Sequence, residues 1–366
     1  MSADAPKVAP KIDRFLRLMA SRGASDFHLT VGRPPMLRVS GTMEPIRYRT
    51  LLEADYAELV RPITPERLWD EFTETGDADF AYEIPGQARY RVNLFRQQRG
   101  SGAVFRVIPT KIMTLEQLGM PEPVSKLAKM ESGLALVTGP TGSGKSTTLA
   151  AVMNLINETR NLHVITIEDP IEFVHPNKKC LIHQREIGSQ ATSFAEALKA
   201  AGREDPDLIL VGEMRDLETI SMALNAAEKG TIVFGTLHTN NAAKTVDRII
   251  SVFPASEQEG IRNVLGETLR AVVAQQLIPK IGGGRVAAME ILFSSPAIGN
   301  MIREGKTPQI TSAIQTGSKE GMIEMDASIR RLYEEKQITA RAALDKAIDK
   351  SQFKDLAEAA PEPGAR

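Results

Sequence analysis

Residues 139–149 read GPTGSGKSTTL, with three glycines, one lysine and a run of hydroxyls in eleven positions. Gly139, Gly144, Lys145 and Ser146 satisfy Gly-x-x-x-x-Gly-Lys-[Ser/Thr]. A strand-like LALVT precedes them and a helical STTLAAVMNLINE follows, which is the context this motif requires. Such a loop curls backbone N–H groups around phosphate oxygens, and the helix behind it points its positive end at the same charge. Gly139, Pro140, Thr141, Gly142, Ser143 and Gly144 are therefore expected to form the cradle, with Lys145, Ser146 and Thr147 opening the helix. Lys145 would reach the β- and γ-phosphates and Ser146 would ligate Mg²⁺. At ordinary residue frequencies a chain of this length holds roughly 0.01 chance matches. ATP and Mg²⁺ are the expected ligands.

Mg²⁺ needs hard oxygen ligands and an attacking water needs an orienting base, so acidic groups at strand ends are the next candidates. In HVITIEDPIEFVH an apolar strand runs into Glu168, Asp169 and Glu172, and in PDLILVGEMRD another ends at Glu213. A single carboxylate after a strand could equally be a solvated turn residue or a helix cap. Two such strands following a phosphate loop favour a site. His238, in FGTLHTNN, ends a third apolar strand, at the edge where open α/β sheets bind ligands. His28, His163, His175 and His183 have no metal-ligand spacing and read as structural or surface residues.

These groups need a framework, and the chain's rhythm supplies one. Ile12, Phe15, Leu16 and Met19 recur at helical spacing until Gly23 stops the pattern. Short alternating segments follow to about Pro109 (PMLRVSG, DFAYEIPG, ARYRVNLFRQ, GAVFRVIP), which predicts a small antiparallel-rich α+β domain. A connector with Pro121 and Pro123 comes next. Beyond Gly133, unbroken apolar runs (LALVTG, HVITIED, DLILVGE, TIVFGTLH, RVAAMEILF) alternate with helical patterns. Continuous strands predict a parallel sheet buried on both faces, hence a doubly wound α/β domain. The chain from about Pro296 reads as helical, and AAPEPGAR as a frayed tail. The expected organisation is 1–112, a linker at 113–132, a core at 133–295 and a helical region at 296–366.

Composition bounds the alternatives. The 366 residues are 42% hydrophobic and 25% charged with a formal net charge of -1, so a substantial core is possible and no global basic field draws nucleic acid. Cys180 is the only cysteine, which suits a reducing compartment and excludes both an intrachain disulfide and a multi-cysteine zinc site. MSADAPKVAPK lacks the apolar stretch of a secretory signal, so a cytoplasmic location is expected.

Taken in order, GASDFHLTVGRPPMLRVSG, GPTGSGKSTT, TIEDPIEFVH, REDPDLILVGEMRD, GTLHTNNAAKTVDRII and LRAVVAQQLIP resemble the secretion-superfamily ATPases, and among them the type IV pilus retraction ATPases of the PilT/PilU kind. The resemblance implies an N-terminal PAS-like α+β domain followed by a RecA-like P-loop ATPase domain with a helical C-terminal region, in a homohexamer that powers pilus retraction. It implies that Glu172 polarises the water, that Glu213 holds Mg²⁺, and that His238 senses the γ-phosphate. Arg91 and Arg106, in ARYRVNLFRQQRGSGAVFR, resemble cations delivered to the nucleotide; the plainer reading is outward strand positions. Its implied partners are an inner-membrane pilus platform protein and a second retraction ATPase, with peripheral attachment to the membrane through the pilus machine.

Two departures from the family pattern stand out. Gly202 follows ALKAA, a cost of about 1 kcal/mol inside a helix unless the helix ends there. AIGNMIRE, at 297–304, has Gly299 where the family's retraction motif has arginine. This helical segment is expected to be a coupling surface, and arginine at 299 to strengthen it; the departure admits an accessory paralogue. An assembly or type II secretion ATPase is disfavoured because a chain with one cysteine cannot build their tetracysteine zinc element. A nucleic-acid translocase is disfavoured by charge. Intact Glu172 and Glu213 argue against a ring subunit that binds ATP without hydrolysing it.

Overall fold

A computed structural model describes residues 9–39, 41–108 and 112–358. The AAPEPGAR tail and most of MSADAPKVAPK lie outside the described residues. The chain divides into two compact units, Met1–Lys111 and Ile112–Arg366.

The first unit opens with the helix read from Ile12, α1 (Ile12–Ser21), whose Ile12, Leu16 and Met19 are fully buried along one stripe. Its strands are β1 (Asp26–Thr30), β2 (Met36–Val39), β3 (Thr42–Pro45), β4 (Asp77–Ile84), β5 (Ala88–Gln97) and β6 (Gly100–Ile108), in an antiparallel sheet of order β3-β2-β1-β6-β5-β4. Helices α2 (Glu53–Val60) and α3 (Glu66–Thr75) join β3 to β4 in the chain. Alternation decides the faces. On β5, Tyr90, Val92 and Leu94 are buried, so Arg91 between them turns outward; on β6, Phe105 is buried and Arg106 outward.

The second unit is built on a seven-stranded sheet of order β13-β12-β7-β11-β10-β8-β9. The strands are β7 (Gly133–Thr138), β8 (His163–Glu168), β9 (Leu181–Glu186), β10 (Leu208–Val211), β11 (Ile232–Leu237), β12 (Leu269–Pro279) and β13 (Arg285–Phe293). Every residue of β7, β10 and β11 is buried, as continuous apolar runs predict. The all-parallel expectation needs correction. RVAAMEILF forms β13, which pairs antiparallel with β12, whereas the other pairings are parallel. The Lys280–Gly284 connection, with three glycines at positive φ, returns the chain directly instead of through a crossover helix.

Helix α4 (Lys145–Thr159) packs one sheet face through Leu149, Val152, Met153 and Ile156. Val124, Leu127 and Ala128, from the expected connector, join that cluster. The other face is covered by α5 (Phe194–Ala201), α6 (Leu217–Glu228), α7 (Ala242–Ser251) and α8 (Gln258–Thr268). Ser193, Asp216 and Asn241 cap α5, α6 and α7 by accepting backbone N–H bonds. Gly202 is the residue after α5, so the feared interior-helix cost does not arise.

The C-terminal region is helical: α9 (Pro296–Arg303), α10 (Gln309–Thr316), α11 (Met325–Glu334), α12 (Ala340–Lys346) and α13 (Ser351–Glu358). The structure sets a steric cost on arginine at 299. Gly299 on α9 abuts Gly266 on α8 so closely that a Cβ at 299 would lie 2.6 Å from the Gly266 carbonyl oxygen. The helices meet backbone to backbone, and any side chain at 299 separates them.

Candidate functional site

The site collects at the C-terminal ends of β7, β8, β10 and β11, the edge at which parallel sheets leave backbone groups and helix N-termini pointing outward. From β7 the chain enters the phosphate loop, with Gly139, Gly142 and Gly144 at positive φ. Gly139 has no room for a side chain, since a Cβ there would sit 2.2 Å from the Gln275 carbonyl oxygen. Pro140, Thr141 and Gly142 form the exposed crown, Ser143 is buried, and Ser146 and Thr147 stand partly exposed in the first turn of α4. The Lys145 ammonium folds over its own loop, donating to the carbonyls of Gly139 at 2.9 Å and Pro140 at 3.1 Å. Burial draws its pKa down, while the nearby carboxylates of Glu213 and Glu172 pull it up. Three candidates from separate segments therefore share one electrostatic neighbourhood.

Glu213 follows Gly212 at the end of β10. Its Oε1 accepts from His238 Nε2 at 2.6 Å and from Arg215 Nε. Burial raises the Glu213 pKa, but the bonds from Arg215 and His238 outweigh this and the net shift is downward. The carboxylate stays ionised and can offer oxygen to a cation. His238 leaves the end of β11 with its side chain 44% exposed, so the ring can meet a ligand while it holds Glu213. Glu213, Arg215, His238, Thr141 and Arg248 line a cleft of about 600 Å³.

Glu168 and Glu172 separate by environment. At the end of β8, Glu168 accepts from the Thr166 hydroxyl at 2.6 Å and from Gln184 Nε2 at 3.2 Å, and burial pushes its pKa up. Both bonds fall on its Oε1. Glu172 is exposed and close enough to Lys145 to influence it.

Arg91 and Arg106 lie in the first unit, directly opposite each other on β5 and β6. Arg91 Nε donates to Asp79 at 3.3 Å and Arg106 Nε to Asp26 at 2.8 Å, and both guanidinium groups remain well exposed. The second unit brings together Lys145, Glu172, Glu213 and His238; the arginines lie in the first unit. Sequence reasoning passed over Arg215, Arg248, Thr148 and Gln275. Arg215 could have been found, two residues after Glu213 in the same strand-end motif. Gln275 interrupts an otherwise apolar strand, a signal visible in AVVAQQLIP.

A loop with glycines at its tight points, a lysine, a carboxylate kept ionised and cations around a cleft suit a polyphosphate with a hard divalent cation. Fold and site together define a P-loop ATPase of the secretion class. A family model described as type II/IV secretion system protein matches residues 2–283, and the chain belongs to that family. It is 52% identical over 336 residues to the type IV pilus retraction ATPase PilT of Pseudomonas aeruginosa, covering 92% of this chain and 98% of that protein. To a twitching motility protein of Neisseria gonorrhoeae it is 51% identical over 310 residues, 84% of this chain and 83% of the other. A crystal structure of the pilus retraction motor PilT with bound ADP superimposes with a TM-score of 0.88 at 43% identity, covering 94% of this chain and 99% of that one.

Proposed function

We propose that this chain is the ATP-hydrolysing subunit of a homohexameric motor that powers type IV pilus retraction. The observation that carries the reading is near-full-length similarity to retraction ATPases combined with a complete strand-end constellation of Lys145, Glu172, Glu213 and His238. In this reading the loop 139–144 and the α4 N-terminus hold the phosphates of ATP, and Lys145 leaves its carbonyl partners to meet them. Ser146 and Glu213 would hold Mg²⁺, which neutralises phosphate charge when bound. Glu172 orients the attacking water, because it is exposed near Lys145, where Glu168 is anchored through Oε1 to Thr166 and Gln184. His238 links the state of the γ-phosphate to Glu213. Arg91 and Arg106 reach nucleotide by exchanging their Asp79 and Asp26 partners for phosphate, so occupancy of the site biases the position of their domain.

The antiparallel first unit is read as PAS-like and the second as RecA-like, divided near residue 112. Among the described residues no helix is long and apolar enough to cross a membrane. A cytoplasmic ring docked on an inner-membrane platform protein, alone or with a second retraction ATPase, fits this picture.

Steady-state ATPase activity of the purified chain, with and without single-stranded DNA, tests the reading. Mg²⁺-dependent turnover indifferent to DNA is expected, and Lys145→Ala should lower it by about 10²–10³. Turnover in Lys145→Ala within about tenfold of wild type would remove the phosphate-loop assignment. Stimulation by DNA would favour a translocase.

A further inference from the structure

The groups described so far stand on β8, β10 and β11, to one side of the phosphate loop. On its other side runs β12, whose Gln275 is only 2% exposed. Its Nε2 donates to the Ser143 carbonyl at 2.5 Å, and its Oε1 accepts from the Thr148 hydroxyl at 2.8 Å. Its backbone carbonyl closes on Gly139, and its amide nitrogen would lie 3.0 Å from a Cβ at Gly144. One residue thus meets the beginning, the end and the following helix turn of the loop. An apolar side chain among Val273, Ala274 and Ile278 would be buried without needing partners, whereas a buried amide is costly unless both its ends are bonded. Here both are: one bond runs to the loop that would curl around phosphate and the other to the helix turn behind it.

We propose that Gln275 is a positioning residue for nucleotide, holding the phosphate loop in its binding curvature through paired amide bonds to Ser143 and Thr148. The proposal rests on the nucleotide reading above and deepens it. The ligand class is a nucleoside di- or triphosphate, because the loop grips phosphates common to both. Loss of the amide should therefore weaken ADP and ATP alike. It should raise KM more than it lowers kcat, since Glu172, Glu213 and His238 keep their own supports.

The experiment uses the purified full chain, titrated with a fluorescent ATP analogue and competed with ADP and ATP, alongside nucleotide-free thermal unfolding and steady-state kinetics. Gln275→Met keeps length and removes both bonds; affinity for ADP and ATP should each fall on the order of tenfold. Thr148→Val removes one partner and should cost less, about threefold. The double variant should be no worse than Gln275→Met, because both act through one bonded unit. Unchanged affinity in Gln275→Met overturns the proposal. So do additive losses that track a lower melting temperature, which mark packing. Should Gln275→Met not fold, Thr148→Val decides: it keeps side-chain shape and removes one of the two amide bonds, and wild-type affinity there overturns the idea. Wild-type protein that binds neither nucleotide would defeat the functional reading itself, and the proposal with it.

Discussion

Glu168 and Glu172 are four residues apart in the chain and offer the sharpest test at the scale of single residues. The same carboxylate chemistry is set to two tasks by hydrogen bonding. Glu168 is anchored by Thr166 and Gln184, so it shapes the strand end, whereas Glu172 is exposed near Lys145. Glu172→Gln should leave nucleotide affinity near wild type and lower turnover by about 10²–10⁴, the range for a positioned acid–base group. Glu168→Gln should cost less than about tenfold, because an amide still accepts the Thr166 bond. Binding and turnover measured on both variants check this; a larger kinetic loss at Glu168 would reverse the assignment.

Helix packing carries the predictions at the scale of elements. Gly266 and Gly299 let α8 and α9 touch at the backbone, and the side chain of Arg303 lies over Gly266. Gly299→Ala should destabilise the fold by about 1–3 kcal/mol through overpacking, despite its better helix propensity. Gly299→Arg should do no less. Denaturant unfolding reads both, and an unchanged midpoint would mean that the helices separate freely. A second element test concerns the start of α7. Glu290 on β13 accepts from the Ala242 N–H at 2.7 Å, and burial, with Glu324 and Asp326 nearby, pushes its pKa up to about 7. The folded chain therefore holds this proton where the unfolded chain, titrating near pH ~4.3, has released it. The Glu290 contribution to stability is fully present below the unfolded value and is lost as pH rises toward about 7. Glu290→Gln retains an acceptor for Ala242 and cannot ionise. It should be more stable than wild type at pH 8 by on the order of 1–3 kcal/mol and nearly equal below the unfolded value. Equal unfolding free energies at both pH values would contradict the sign.

At the scale of the whole molecule, the proposed role of Arg91 and Arg106 is the one to test. Arg91 and Arg106 are well exposed; Arg91 can be lent to a ligand from the half-exposed Asp79, whereas Arg106 would leave Asp26, only 7% exposed, to Arg38 and Ser25. If they serve a neighbouring subunit's nucleotide, Arg91→Ala and Arg106→Ala should each lower turnover at least tenfold, within the range of such trans-acting cations, while shifting ATP affinity far less. Activity should also rise with ring formation. Solution mass measured alongside ATPase activity tests this, and a fully active monomer would eliminate delivery across subunits.

The sequence by itself determined whatever is written in local pattern. The phosphate loop declared itself because its glycines and lysine are contiguous, and α1 because apolar residues at 3.6 spacing must share a face. The buried strands were legible because both faces are covered, so their residues are apolar without alternation. Tertiary structure decided what depends on strand order and close approach. Lys145, Glu213 and His238 are far apart in the chain, and they converge because β10 and β11 lie side by side next to β7. The sheet's antiparallel edge was hidden because a buried strand has the same composition whichever way it runs. The bond from Gln275 to a loop more than a hundred residues earlier was hidden because hydrogen-bond partners leave no mark on spacing. Gly299 read as a missing arginine until the Gly266 backbone stood opposite it, because sequence records which side chain is absent but not what occupies its space.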